Sequence, residues 1–187
     1  MSYLGWLIVS GICLGIVAWQ FSVWLGENKN KREKYRTALA YARRKNKPLL
    51  IAGGPYGNHR VRHFLKMPAH GNGDVCLDID REAIDGHPNA IIASVTHIPF
   101  PDKTFGAAFA SHLLEHLPTT VAARQALTEL DRTAEAVFIV SPSRQSISGW
   151  LHPDHHLWVW QNGKTAYFKQ RGKSSVKREE EYTLENG

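Results

Sequence analysis

Two histidines and a glutamate crowd the stretch SHLLEHLP at residues 111–118. His112, Glu115 and His116 match H-x-x-E-H, a pattern in which two imidazoles on one helical face hold zinc beside a carboxylate base. Zinc hydrolysis also needs a third protein ligand and a helix long enough to project both rings. Pro118 limits continuation beyond Leu117, although HPDHH at residues 152–156 has ligand types to offer. The same residue types suit the wall of a nucleotide-type pocket, where an imidazole titrating near neutral pH can take a proton. The surrounding elements favour the pocket wall, so no metal site is expected. HPDHH then reads as a loop leading into a hairpin, with a place in an acceptor site as its functional alternative. Asp102 and Asp154 read as turn and loop residues.

The elements that must position these groups alternate in kind. Residues 49–54, LLIAGG, form an apolar run ending in glycines, the pattern of a buried parallel strand and a tight turn. NHRVRHFLKM then has helical spacing at Val61, Phe64 and Leu65, with Phe64 and Met67 expected in the core. Residues 74–80, DVCLDID, read as a second strand, REAIDG as the start of a short helix, and residues 89–94 as a third strand. HIPFPDKTF is a turn and residues 106–111, GAAFAS, a fourth strand. TVAARQALTELDRTA is an amphipathic helix capped by Thr119 or Thr120, and EAVFIVSP holds a fifth strand. Strands alternating with helices predict an α/β fold, a Rossmann-like doubly wound, mostly parallel sheet with helices on both faces. A ligand then belongs at the carboxyl ends of the strands, where GGPYG, DID, Ser94 and SHLLEH converge. A C-terminal antiparallel hairpin is expected around Asn162-Gly163. Trp158, Trp160 and Phe168 are expected to share its core face.

Residues 97–118, HIPFPDKTFGAAFASHLLEHLP, resemble class I S-adenosylmethionine-dependent methyltransferases, particularly the small branch called methyltransferase type 11. The resemblance spans about residues 49–143. It implies a seven-stranded sheet with the hairpin as its last pair, and S-adenosylmethionine as cofactor. It assigns the cofactor to Gly53, Gly54 and Gly57 in the first turn and to Asp78, with Asp80 as fallback, and Ile79 after strand two. Ser94 and Val95 follow strand three, and Ser111 borders the methyl donor. His112 and His116 are the candidate catalytic bases, if the reaction uses one. Ile51 and Pro55 stand where the family pattern has an acid and a glycine, and Ser94 where it usually has an acid. The alternative to an active enzyme is therefore an inactive methyltransferase-fold interaction module.

At 187 residues, 43% hydrophobic and 21% charged, the chain has room for one α/β domain with an appendage. That appendage is residues 1–26, whose run from Tyr3 to Gly26 has no charged residue. It is long enough to span a bilayer as a transmembrane helix, with Tyr3, Trp6 and Trp24 as interfacial anchors and Trp19 facing lipid. No basic residue precedes it, which argues against a signal peptide. Residues 27–47 carry nine Lys/Arg against two Glu, so +7 of the net +6 lies here and the remainder sums to −1. A basic segment beside a span points to a membrane surface rather than to nucleic acid, and to a cytoplasmic C-terminal side. Gly11 and Gly15 form G-x-x-x-G, a route to a homodimer through the membrane. The connector, with Tyr35, Leu39 and Ala42 as a narrow apolar stripe, would lie along anionic headgroups or pack on the domain, and reads first as a solvated face. The catalytic domain is expected at residues 48–170 and a disordered charged tail at 171–187. Cys13 and Cys76 suggest neither a disulfide nor a thiolate metal site.

Overall fold

The computed structural model describes residues 3–55, 71–172 and 179–184. Short apolar runs build a parallel sheet from β1 (Leu49–Ala52), β2 (Val75–Asp78), β3 (Ala90–Ile92), β4 (Ala107–Ser111) and β5 (Val137–Val140), in the order β3-β2-β1-β4-β5. The central strands are apolar at successive positions because both faces are covered. Leu50, Ala52, Leu77, Ala108 and Ala110 pack under α3 (Thr120–Thr133), through its Ala123, Ala126, Leu127 and Leu130. Leu49, Ile51, Cys76, Ala107 and Phe109 face the other way, toward α1 (Tyr3–Arg44). Burial pushes the Cys76 thiol up to about 11, which leaves it an inert packing group. The segment containing Gly57, Val61, Phe64, Leu65 and Met67 lies outside the described residues.

α1 is one continuous helix of 42 residues, about 63 Å long. Its first half exposes Trp6, Leu14, Val17 and Trp24, and no part of its apolar window, of mean hydropathy 1.8, is buried. This half is long and apolar enough to cross a membrane. The second half is a structural part of the domain. Ala38 and Ala42 are fully buried, Tyr35 meets the edge of Phe109 at 5.6 Å, and Tyr41 meets Phe138 at 6.2 Å. The expectation of a solvated connector is corrected here. Arg32, Glu33, Arg36, Arg43 and Arg44 are exposed, while a stripe of small residues lets the helix sit close on the sheet. A Cβ added at Gly106 would lie 2.7 Å from the Ala42 Cα. Lys45 and Lys47 close the helix end onto Glu135 at 2.8 and 2.6 Å, and hold its carboxyl down at about 2.

The hairpin forms, but outside the main sheet. β6 (Leu157–Asn162), β7 (Thr165–Gln170) and β8 (Glu179–Thr183) make a separate antiparallel sheet, so the seven-stranded sheet implied by the resemblance is not what is seen. Lys34 on α1 reaches between the two sheets, donating to the Ile139 carbonyl of the end strand β5 at 2.7 Å and to Gln161 Oε1 at 2.9 Å. The β5 edge acceptor is thus taken by an ammonium group instead of a sixth strand. Burial lowers the Lys34 pKa. Asn162 pairs with Thr165, so the loop is Gly163-Lys164, with Gly163 at φ 57°. In this register Leu157, Val159, Ala166 and Phe168 face the core. Trp158 and Trp160 take the outer face, contrary to expectation, under the Arg171 and Arg144 guanidinium groups at 4.5 and 4.8 Å.

The charged tail is ordered at residues 179–184. Glu180 accepts from Thr120 Oγ1 at 2.8 Å and meets Arg124 at 3.5 Å, while Leu184 is buried. Glu180 has partners on α3 that composition does not reveal, and the domain therefore extends past residue 170. A guanidinium clamp fixes the PFPD loop ahead of β4. Arg132 donates to the carbonyls of Phe100 and Ile98 and to Asp102 and Glu129 at 2.8 to 2.9 Å. The Arg132 bonds hold the Glu129 carboxyl below its ordinary range.

Gly106→Ala is expected to destabilise the protein by about 1–3 kcal/mol through overpacking against α1, read as a lower urea midpoint of the full chain in detergent. Gly11→Ala, which meets nothing within 4 Å, should cause no such loss. The Glu135 contribution is present above about pH 4.5 and disappears as pH falls through about 2, because the folded-state value is depressed. The stability difference between the wild type and Glu135→Gln should therefore shrink across that window in pH-dependent unfolding.

Candidate functional site

The strand order reverses between β1 and β4, and a doubly wound sheet opens a crevice at that point. A cavity of about 700 Å³ lies there, bordered by the residues that leave the strand ends. Gly53 turns the chain out of β1 at φ 92°, a conformation that favours glycine. Gly54 must be glycine for another reason, since a Cβ there would lie 2.2 Å from the Ala83 carbonyl of α2 (Arg81–Ile84). Asp78 at the end of β2 ties these loops together. Its Oδ2 accepts from the Gly54 N–H at 2.6 Å and its Oδ1 from the Asp80 N–H at 2.8 Å. Asp80 is the N-cap of α2, accepting from the Glu82 N–H at 2.9 Å, which assigns the two acids different work. Between them, Ile79 is 75% exposed and lies against the cavity.

Gly53, Gly54, Asp78, Ile79, Ser94, Val95, Ser111, His112 and His116 all border this one cavity. Gly57 lies outside the described residues. Ser94 bonds Thr96 Oγ1 at 2.8 Å in a local turn, and Val95 and Ser111 are nearly buried. Ile51 is fully buried under α1, which explains an apolar residue where an acid is usual.

H-x-x-E-H does not form a helical metal-binding face. His112 has φ 53°, and the segment after it is a single 3-10 turn, Leu114–His116. The motif therefore splits. His112 Nδ1 stands 3.3 Å from Oε1 of the buried Glu115, whose carboxylate has no aligned hydrogen bond among the described residues. His116 turns to the HPDHH loop, its Nδ1 lying 3.1 Å from the Asp154 carbonyl.

Two features went unread in the sequence. Glu27 of α1 borders the cavity and accepts from the Ser143 N–H at 2.6 Å. The short α4 (Ile147–Leu151), capped by Ser146, forms another wall. The S-x-x-G spacing of Ser146 and Gly149 was the available signal for it. His152 and His155 face the same cavity as His112, which is the acceptor-site alternative weighed for HPDHH. Burial lowers the His155 pKa, outweighing the opposing pull of Glu115, so its ring is neutral at neutral pH.

Residues 61–136 match the family described as a methyltransferase domain. No curated protein matches the chain. The N-methyltransferase NodS from Bradyrhizobium japonicum, solved with S-adenosyl-L-homocysteine, is 12% identical over 75% of this chain and 80% of its own, with a TM-score of 0.41. A S-adenosylmethionine-dependent methyltransferase from Clostridium acetobutylicum is 8% identical over 81% of this chain and 72% of its own, with a TM-score of 0.42. CalS10, an amino pentose methyltransferase from Micromonospora echinaspora, is 12% identical over 95% of this chain and 83% of its own, with a TM-score of 0.38. The matched family segment takes in Asp78, Ser94, Ser111 and His112, and over residues 61–136 the chain carries the pattern of a methyltransferase domain.

Proposed function

We propose that the protein is a membrane-anchored, S-adenosylmethionine-dependent methyltransferase whose acceptor reaches the cavity from the bilayer surface. The observation that carries this reading is the gathering of Gly53, Asp78, Ile79 and His112 around one cavity at the strand ends. The residues fit the cofactor. The Gly53 turn leaves bare backbone for its amino-acid end, and Asp78, with one amide on each oxygen, keeps further lone pairs for ribose hydroxyls. Ile79 offers an exposed apolar ledge to the adenine ring.

When bound, S-adenosylmethionine supplies a methyl carbon on a sulfonium that departs as a neutral thioether, the C–S electron pair staying on sulfur. The protein's part is alignment and proton removal. Ser111 and His112 border the acceptor end, and His112 takes the acceptor's O–H or N–H proton as its heteroatom bonds to the methyl carbon. Glu115, beside His112 Nδ1, orients the ring and balances the charge it gains.

Three observations support an acceptor at the membrane surface. Glu27, directly after the charge-free run, is itself a cavity residue. Gln20 of α1 grips the loop before α4, donating to the Gln145 carbonyl and accepting from the Ile147 N–H, both at 2.9 Å. From that anchored loop α4 exposes Trp150 and Leu151, side chains suited to the headgroup boundary. The nine Lys/Arg that follow the span favour the cytoplasmic leaflet. Gly11 and Gly15, with open space beside both, offer the anchor a face for a second copy.

The inactive-module reading draws on Ile51, whose buried side chain offers the cofactor nothing, and on Pro55, which has no amide to donate. Calorimetric titration of S-adenosylmethionine into the full chain in detergent separates the two. Binding should weaken about 10- to 100-fold in Asp78→Ala, the loss of hydrogen bonds to a charged group. Absence of heat at millimolar cofactor, from folded protein, would favour the module. With labelled cofactor and vesicles of bacterial polar lipid, His112→Gln should lower methyl incorporation by about 10²- to 10⁴-fold with cofactor affinity kept. An equal rate on small soluble acceptors, with or without vesicles, would count against the membrane acceptor.

A further inference from the structure

We infer that His116, His152 and His155 form a binding site for a divalent cation of the zinc type at the rim of the cavity. One ring nitrogen from each lies within 4.8 Å of the others. His116 comes from the 3-10 turn, His152 is the C-cap of α4, and His155 follows in the loop. That loop is held in place by its backbone. The His152 N–H donates to the Ser148 carbonyl at 3.1 Å, and the His156 N–H donates to the Glu115 carbonyl at 2.8 Å.

Ring hydrogen bonds prepare two of the three ligands. His116 Nδ1 faces the Asp154 carbonyl and His155 Nδ1 the Gly149 carbonyl, each at 3.1 Å. A carbonyl only accepts, so both rings carry their proton on Nδ1 and present a lone pair at Nε2. Metal-binding histidines use this same backbone arrangement to fix tautomer and ring orientation. His152 Nδ1 instead accepts a long bond, 3.3 Å, from the Asp154 N–H, which it gives up on ligation.

Packing and charge agree with this assignment. The His116 and His155 ring centroids are 4.7 Å apart and those of His152 and His155 4.4 Å. Ligands on a tetrahedral zinc stand about 3.4 Å from one another. His152 is stacked on His155 with the ring planes 16° apart and has to turn out of that stack to converge on the ion, for which its exposure leaves room. Beneath them Glu115 is buried, with neither carboxylate oxygen in an aligned hydrogen bond among the described residues. A cation at the rim supplies charge to that carboxylate's surroundings. With three protein nitrogens, the fourth position remains for water or an acceptor heteroatom, and all three histidines border the cavity. The H-x-x-E-H reading looks to HPDHH for one ligand beside two from the motif; the set here takes one histidine from the motif and two from HPDHH, against the expectation of no metal.

The site is tested on the untagged full chain in detergent, stripped of metal, by zinc titration against a chromophoric chelator and by the visible spectrum with cobalt. A stoichiometry of one zinc per chain and the strong absorption of four-coordinate cobalt are expected. His152→Gln and His155→Gln should each weaken zinc about tenfold or more, whereas His97→Gln, just ahead of the PFPD loop, should leave it unchanged. No stoichiometric zinc binding by the wild type, or binding that survives in a folded His152→Gln/His155→Gln double variant, overturns the inference. These readouts do not depend on methyl transfer, so the cation site and the transferase reading can fail separately.

Discussion

Everything in this structure is referred to one rigid rod. An α-helix advances 1.5 Å per residue, so the positions of Gln20, Glu27, Lys34 and Ala42 along α1 set distances that no loop can adjust. The same helix that exposes an apolar half contributes a cavity wall at Glu27, a bridge between two sheets at Lys34, and the cover of the parallel sheet at Ala38 and Ala42. This cover has a chemical consequence. Because α1 packs directly over β1, the side chain of Ile51 lies in an apolar layer with Cys76 and Phe109. An acid there would be a buried charge without a partner, a costly arrangement. The departure at residue 51 follows from what α1 covers.

The second constraint is the Asp78 carboxylate. It accepts one amide from the β1 turn and one from the start of α2, which makes it the joint between two cavity loops. Loss of Asp78 would therefore act on shape as well as on any ligand. Asp80, two residues on, is committed to capping α2. The alternation of side chains along the chain end separates these tasks, with Ile79 between them left exposed to the cavity.

Legibility in the sequence followed the range of the forces involved. β1, β2, β4 and β5 were readable because a strand buried on both faces must be apolar at successive positions, and α3 because its cap and stripe are local. The cavity residues from Gly53 to His116 were readable because strand ends in such a sheet converge. What escaped reading depends on partners distant in the chain. Ala42 was read as part of an apolar stripe, but only Gly106, far downstream, shows why it is small, and nothing local to the basic segment marks Ala38 as fully buried. The tail looked solvated until Glu180 found Thr120 and Arg124. The hairpin was recognised but misregistered: Gly163, and not Asn162, is the first loop residue. The tryptophans take the outer face in either register, because Phe168 stands across from Val159 and not from Trp158 or Trp160. α4 is five residues long, too short for periodicity to detect.

The HLLEH segment shows how backbone conformation overrides spacing. Histidines four apart share a face only if the residues between them are α-helical. Here His112 adopts a left-handed conformation at φ 53°, held by its N–H on the Val140 carbonyl at 2.8 Å, and the turn after it is 3-10. The two rings therefore diverge, one toward Glu115 and the other toward His152 and His155. Strain of this kind persists only where surrounding structure fixes it. The sheet fixes it from one side through Val140, and the His156 amide fixes the Glu115 carbonyl from the other. The outcome is one imidazole at the strand end, where the favoured reading of the motif placed a pocket wall, and another at the rim, in a histidine cluster that the motif alone could not have assembled.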